Sequence, residues 1–123
     1  MIYSNSLITI ELHESEIPWL KIFTHKEHKE FSECTPAEKE MIWNALDLIE
    51  KRMLAYFKPD KINIASFGNM LPRVHWHIMA RFKDDSYFPE PMWGTKQREG
   101  FVLKVPMEPF VEEVKRELCS RLG

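Results

Sequence analysis

The stretch PRVHWHIMARF, residues 72–82, sets two histidines one residue apart in a run that otherwise has the pattern of a strand. Alternate side chains of a strand point to opposite faces. One face is then Val74, Trp76, Ile78, Ala80 and Phe82, all apolar. The other is Arg73, His75, His77, Met79 and Arg81, a basic and titratable row. The apolar set supplies a core wall and leaves the second row available for chemistry.

Three readings of that row compete. The plainest makes His75 and His77 surface residues on the solvated side of an antiparallel strand, where polar side chains are ordinary. The second is a metal site. Histidines two apart can share a zinc, but a closed site needs four ligands and a catalytic one three. The remaining imidazoles, His13, His25 and His28, have no spacing that fixes them near the pair, and their charged neighbours suit an exposed surface. Arg73 and Arg81 would also repel a cation, so no metal is expected.

The third reading is nucleophilic attack on phosphorus. A neutral imidazole can form a phosphoramidate that water later cleaves, which divides one hard step into two easier ones. An unperturbed pKa of about 6.5 leaves much of the imidazole neutral near pH 7. A second histidine on the same face can donate to a phosphate oxygen or help protonate the leaving group. Basic neighbours and turn amides can stabilise the equatorial oxygens. Only this reading accounts for the whole face.

The elements that must hold the row are legible in turn. LITIEL, 7–12, alternates as a half-buried strand does, and WLKIFTH, 19–25, reads as a second strand entered through Pro18. The polar HESEIP between them suits a loop or hairpin. Thr35-Pro36-Ala37-Glu38 is a capping box, and Ile42, Leu46, Ile49, Met53 and Phe57 form one helical stripe after it. That helix is expected to stop near Lys58, because Pro59 disfavours helix at the preceding residue. KINIASFG, 61–68, is a third strand, with Gly68-Asn69 as a turn or bulge before the histidine strand. FVLKVP, 101–106, is expected to form a short edge strand. PFVEEVKRELCSRLG closes the chain as an amphipathic helix with Val111, Val114, Leu118 and Leu122 on one side. Strands on both sides of one long central helix, without a βαβ rhythm, give an α+β fold with a mainly antiparallel sheet.

Composition narrows the function classes. With 123 residues, no repeat and no dividing linker, one domain over 1–123 is expected. A net charge of −2 argues against general nucleic-acid binding and leaves room for a local basic pocket. Cys34 and Cys119 lie far apart outside any CxxC, which points to free thiols in a reducing compartment. The N-terminal stretch has no basic leader and meets acidic residues early, so neither a signal peptide nor a membrane association is expected. A cytoplasmic protein is the default.

GNMLPRVHWHIMARF resembles the signature of the histidine triad (HIT) superfamily of nucleotide hydrolases and transferases: a Gly-Gln step, then His-x-His-x-His. Laid on it, Gly68-Asn69 takes the Gly-Gln step, His75 the middle histidine that acts as nucleophile, and His77 the third. Arg81 takes the arginine that follows, and Asp85 the acidic residue often found after it. Arg73 replaces the first histidine and Asn69 the glutamine. HESEIPW, WLKIFTH, the capped helix, KINIASFGN and FPEPMWG extend the likeness to a bacterial HIT-like branch across nearly the whole chain.

The resemblance implies an antiparallel sheet with a long helix and a homodimer that uses no cofactor. It also implies nucleoside monophosphate binding, with hydrolysis or transfer at the α-phosphate of a phosphoramidate or dinucleoside polyphosphate. Catalysis falls to His75 and His77. Substrate binding falls to Glu14, matching a ribose-binding acid, to Asn63, matching a strand asparagine near the phosphate, and to Gly68, Asn69 and Arg73. The usual Pro-Lys pair after the second strand is absent; Thr24-His25-Lys26 stands there. Guanidinium accepts no proton, so Arg73 cannot take over a histidine's proton transfer. The alternative is a catalytically weak nucleotide-binding regulator with a degenerate triad. Trp76 is expected in the core, and Trp93 in a packing role.

Overall fold

The computed structural model describes residues 1–123. Five strands, β1 (Tyr3–Ser4), β2 (Ile8–Leu12), β3 (Trp19–Thr24), β4 (Lys61–Ala65) and β5 (His75–Arg81), form one antiparallel sheet in the order β1-β2-β3-β5-β4. Helix α1 (Pro36–Phe57) lies between β3 and β4 in the chain, and α2 (Glu108–Leu122) ends it. The fold is the expected α+β arrangement.

Helix α1 starts where the capping box requires. The Thr35 hydroxyl accepts from the Glu38 N–H at 3.1 Å, and the Glu38 carboxylate accepts from the Thr35 N–H at 2.7 Å. It ends at Lys58, which adopts a left-handed conformation (φ 49°) ahead of Pro59. The whole stripe Ile42, Leu46, Ile49, Met53 and Phe57 is buried. It packs with Val114 and Leu118 of α2 against Ile8, Ile10, Leu20, Ile22, Ile78 and Ala80 of the sheet. Arg52 bridges the two helices through Glu113 at 3.0 Å and Glu117 at 3.2 Å.

Because both helices cover one face of the sheet, β5 divides as its pattern predicts. Ile78 and Ala80 enter the core, with Trp76 and Phe82 packed at its margin. His75, His77, Met79 and Arg81 stand on the opposite face, yet all four are buried. That face is therefore covered by loops rather than solvated, which removes the plain surface reading of the histidines.

Residues 101–106 correct one expectation: they form no strand. Phe101 stacks on Phe82 with ring centroids 5.5 Å apart, and the Tyr56 hydroxyl donates to the Pro106 carbonyl at 2.6 Å. The segment is thereby drawn across the end of β5 toward α1 and pairs with neither sheet edge. The two-residue β1 and a short 3-10 turn at Phe31–Glu33 are too brief to carry a periodic signal.

Candidate functional site

The register of the central strands builds the site. Trp19, Lys21 and Phe23 of β3 lie opposite Met79, His77 and His75 of β5. Their side chains therefore share the face away from the helices. With Phe67 to Leu71 of the β4–β5 loop, and with His13 and Trp93, they line a cleft of about 480 Å³. Gly68 bends the loop with φ +78°, a conformation glycine adopts without steric cost.

Each histidine has one ring nitrogen fixed by a neighbour. His75 Nδ1 lies 2.8 Å from the Arg73 carbonyl oxygen. A carbonyl only accepts, so Nδ1 carries the proton and the neutral ring keeps its lone pair on Nε2. Phe23 stacks on this ring at 5.3 Å with 15° between the planes. His77 has the opposite tautomer. The Trp19 indole N–H donates to His77 Nδ1 at 3.0 Å, so the neutral ring carries its proton on Nε2. Burial first, and then the charges of His75, Lys21 and His13, push the His77 pKa down to about 4. At neutral pH His77 is thus a hydrogen-bond donor and not a proton donor, whereas the neutral His75 ring presents the lone pair of Nε2. The ring centroids are 5.1 Å apart.

Trp93 is half-exposed and stands over this pair, 4.9 Å from His77, 5.2 Å from Trp19 and 4.7 Å from Phe67 between ring centroids. The loop that carries it is held from below. The buried Arg81 guanidinium donates to Asp85 at 2.9 and 3.1 Å, to the Asn63 side-chain oxygen at 2.8 Å and to the Glu90 carbonyl at 2.7 Å. Asp85 also accepts from the N–H groups of Phe82, Tyr87 and Phe88. Burial opposes its ionisation, but these hydrogen bonds outweigh burial and hold its pKa below the usual carboxylate value.

Of the residues singled out in the sequence, His75, His77, Gly68 and Asn69 come together in the cleft. Arg73, Asn63 and Glu14 do not line it. Arg73 turns aside: its guanidinium donates to the Thr24 carbonyl at 2.5 Å, lies 5.4 Å from the Phe23 ring centroid, and reaches Glu27 at 3.9 Å. Asn63 is taken by Arg81, and Glu14 is exposed on the β2–β3 connection. Trp76, expected in the core, is partly buried and packs at the core margin beside Phe31 and Trp43. Trp93 departs from a plain packing role by lining the cleft.

His13 departs from the expected exposed surface. It is half-buried against Trp19 at 4.2 Å, and burial followed by Lys21 lowers its pKa. His25 hydrogen-bonds Thr9 and Ser4 on the sheet surface. His28, Cys34 and Glu38 bring three ligand-type atoms within 4.8 Å of one another at the start of α1. There, however, Glu38 already accepts from His28 at 3.0 and 3.1 Å and from Thr35, which makes the group a sealed helix cap. Lys21 and Trp19 escaped notice as site residues because their role depends on the β3–β5 register. Lys21, a charge in the middle of the otherwise apolar WLKIF, is the one signal that marks this strand as more than core.

A family model for the HIT domain matches residues 2–84. Among solved structures, a histidine triad protein from Bradyrhizobium japonicum superposes with a TM-score of 0.77 at 24% identity, covering 94% of this chain and 87% of that one. A histidine triad (HIT) protein from Sinorhizobium meliloti gives 0.74 at 27% identity, covering 94% and 86%. A histidine triad protein from Marinobacter aquaeolei gives 0.71 at 24% identity, covering 95% and 83%. No curated protein matches the sequence. The HIT model spans most of the chain and takes in both cleft histidines and the strands that pair around them, so this chain belongs to the HIT-domain family.

Proposed function

We propose that the protein is a nucleotide hydrolase or transferase acting at the α-phosphate of a nucleoside phosphoramidate or dinucleoside polyphosphate. The observation that carries this reading is the opposed tautomers of His75 and His77 in one cleft: a basic nitrogen beside a fixed N–H donor. His75 Nε2 attacks phosphorus, and the bond from phosphorus to the leaving oxygen or nitrogen breaks. The leaving group departs with that electron pair and takes up a proton from solvent. Water then attacks the nucleotidyl-histidine. The P–N bond breaks, its electrons return to Nε2, the water gives up a proton to solvent, and the nucleotide is released with the water's oxygen. His77 Nε2–H and the amides of the Gly68-Asn69 turn stabilise the phosphoryl oxygens. Trp93, Phe67 and Trp19 supply apolar surface for a base.

In this reading Arg73 acts from outside the cleft, by offering its carbonyl to His75, and Glu14 and Asn63 contact substrate only after their side chains rearrange. No cofactor and no metal enter the scheme. One HIT-like domain spans 1–123, pairs into a homodimer and works in the cytoplasm, without nucleic acid or membrane as partner. The outer edge of β4 and the exposed Ile64 and Phe67 beside it support a dimer by offering a free strand with apolar neighbours. A monomer mass by light scattering at micromolar protein would refute that pairing. No helix is long and apolar enough to cross a membrane.

The diversion of Arg73 to the Thr24 carbonyl favours a second reading, a catalytically weak nucleotide-binding regulator, because no third imidazole stands in the row. Titration with AMP, followed through the ring resonances of His75 and His77, tests the site itself. Both sets should shift and saturate, and an unmoved pair at millimolar AMP would defeat both readings. AMP release from phosphoramidate and polyphosphate substrates then separates the enzyme from the binder.

A further inference from the structure

The cleft holds one permanent cation that the scheme above leaves unused. Lys21 lies on β3 directly opposite His77, between Trp19 and Phe23 on the cleft face. Its Nζ is 5.7 Å from the centroid of Phe23, the ring that stacks on His75. The ammonium is therefore carried beside the nucleophile's own aromatic neighbour.

No carboxylate of the protein forms an ion pair with it. Lys21 belongs to none of the ion pairs of the chain. No aspartate or glutamate lines the cleft. Glu11 is its partner across β2 but does not reach it as an ion pair. The other basic residue of the region, Arg73, is spent on the Thr24 carbonyl. Lys21 is a half-buried residue whose ammonium stands by the Phe23 ring in a cleft without a carboxylate, and an incoming anion would give it the partner the protein does not. The cleft is thus electrostatically incomplete until an anionic ligand enters.

We propose that Lys21 is a substrate-binding residue that anchors the phosphate of the nucleotide against the His75–His77 pair, supplying the charge that Arg73 cannot deliver from its position. This rests on the nucleotide reading and adds to it a residue and a requirement: a ligand must bring negative charge to this spot to bind well. Lys21→Met should lower affinity for phosphate-bearing ligands and spare the uncharged nucleoside, whereas Lys21→Arg should keep most of the affinity.

The test is calorimetric titration of AMP and of adenosine, at low and at physiological salt, into wild type, Lys21→Met, Lys21→Arg and Lys51→Met. Lys51 is an exposed α1 residue and controls for net charge. Lys21→Met should weaken AMP by tenfold or more at low salt and leave adenosine unchanged, with Lys21→Arg within about threefold of wild type, as expected for a close charge pair of intermediate screening. Equal loss of AMP and adenosine would mark Lys21 as structural and overturn the proposal. Undiminished AMP binding in Lys21→Met would overturn it and leave the nucleotide reading standing. Failure of wild type to bind AMP at all would overturn both.

Discussion

Trp19→Phe separates the tautomer argument from general packing. The indole N–H is the group that fixes His77, at 3.0 Å and in a buried setting. Phenylalanine keeps an aromatic ring against Ile17 and Met79, the neighbours of Trp19 in the small second core, but offers no donor. The His77 Nδ1 is then a buried acceptor without a partner, which costs about 1–3 kcal/mol. The smaller ring adds a modest cavity term, for a total of roughly 2–4 kcal/mol. A second consequence is independent of stability. Protonating Nδ1 in the wild type means breaking the bond to Trp19, since an imidazolium nitrogen can only donate. With that bond gone, the His77 pKa should rise above about 4, while burial and the charges of His75, Lys21 and His13 still hold it below the ordinary histidine value. Urea melts give the first quantity, and nitrogen chemical shifts of labelled histidine give the tautomer and the titration. A wild-type His77 protonated on Nδ1, or a variant that titrates where wild type does, would refute the reasoning whatever the melts show.

The clamp under the Trp93 loop should be asymmetric. Arg81→Met leaves Asp85 with three backbone N–H donors, whereas Asp85→Ala strands both the guanidinium and those N–H groups. Within the about 3–5 kcal/mol typical of breaking a buried pair, chemical denaturation should place Arg81→Met near the lower end and Asp85→Ala near the upper. Stability should also fall with acid in two stages. Unfolded His77 binds a proton below about pH 6.5 while the folded residue resists until about 4, so stability is lost across that interval and His77→Gln should flatten it. Asp85, held below the usual carboxylate pKa, contributes stability that is lost at still lower pH; melts across the series check both stages. Arg73→His should release AMP faster than wild type if the missing triad imidazole slows the reaction, and an unchanged or lower rate would dismiss that explanation.

Local chemistry made much of this architecture legible. The Thr35–Glu38 box, the Ile42-to-Phe57 stripe and the stop at Pro59 are near-neighbour effects, and each sits where the spacing puts it. The two faces of β5 were equally readable, because a period of two needs no partner to declare itself. What spacing does not encode is which strand lies beside which. Lys21 and Trp19 become site residues only through pairing with His77 and Met79, and Trp93 only through a loop clamped by Arg81 and Asp85. Arg73 shows the converse. Its place in the row was plain, but Arg73 lies in a bend before β5, where strand alternation does not hold its side chain, and the Thr24 carbonyl draws it away from the cleft. FVLKVP failed as a strand for a related reason: its apolar residues found Phe82 and the end of α1 instead of a free edge.

The central claim is that His75 is a nucleophile, and AMP release from adenosine phosphoramidate by wild type and by His75→Ala tests it most directly. The geometry predicts release by wild type and none above background from the folded variant, because His77 keeps its proton on Nε2 and cannot substitute. Release that survives in His75→Ala would contradict the assignment.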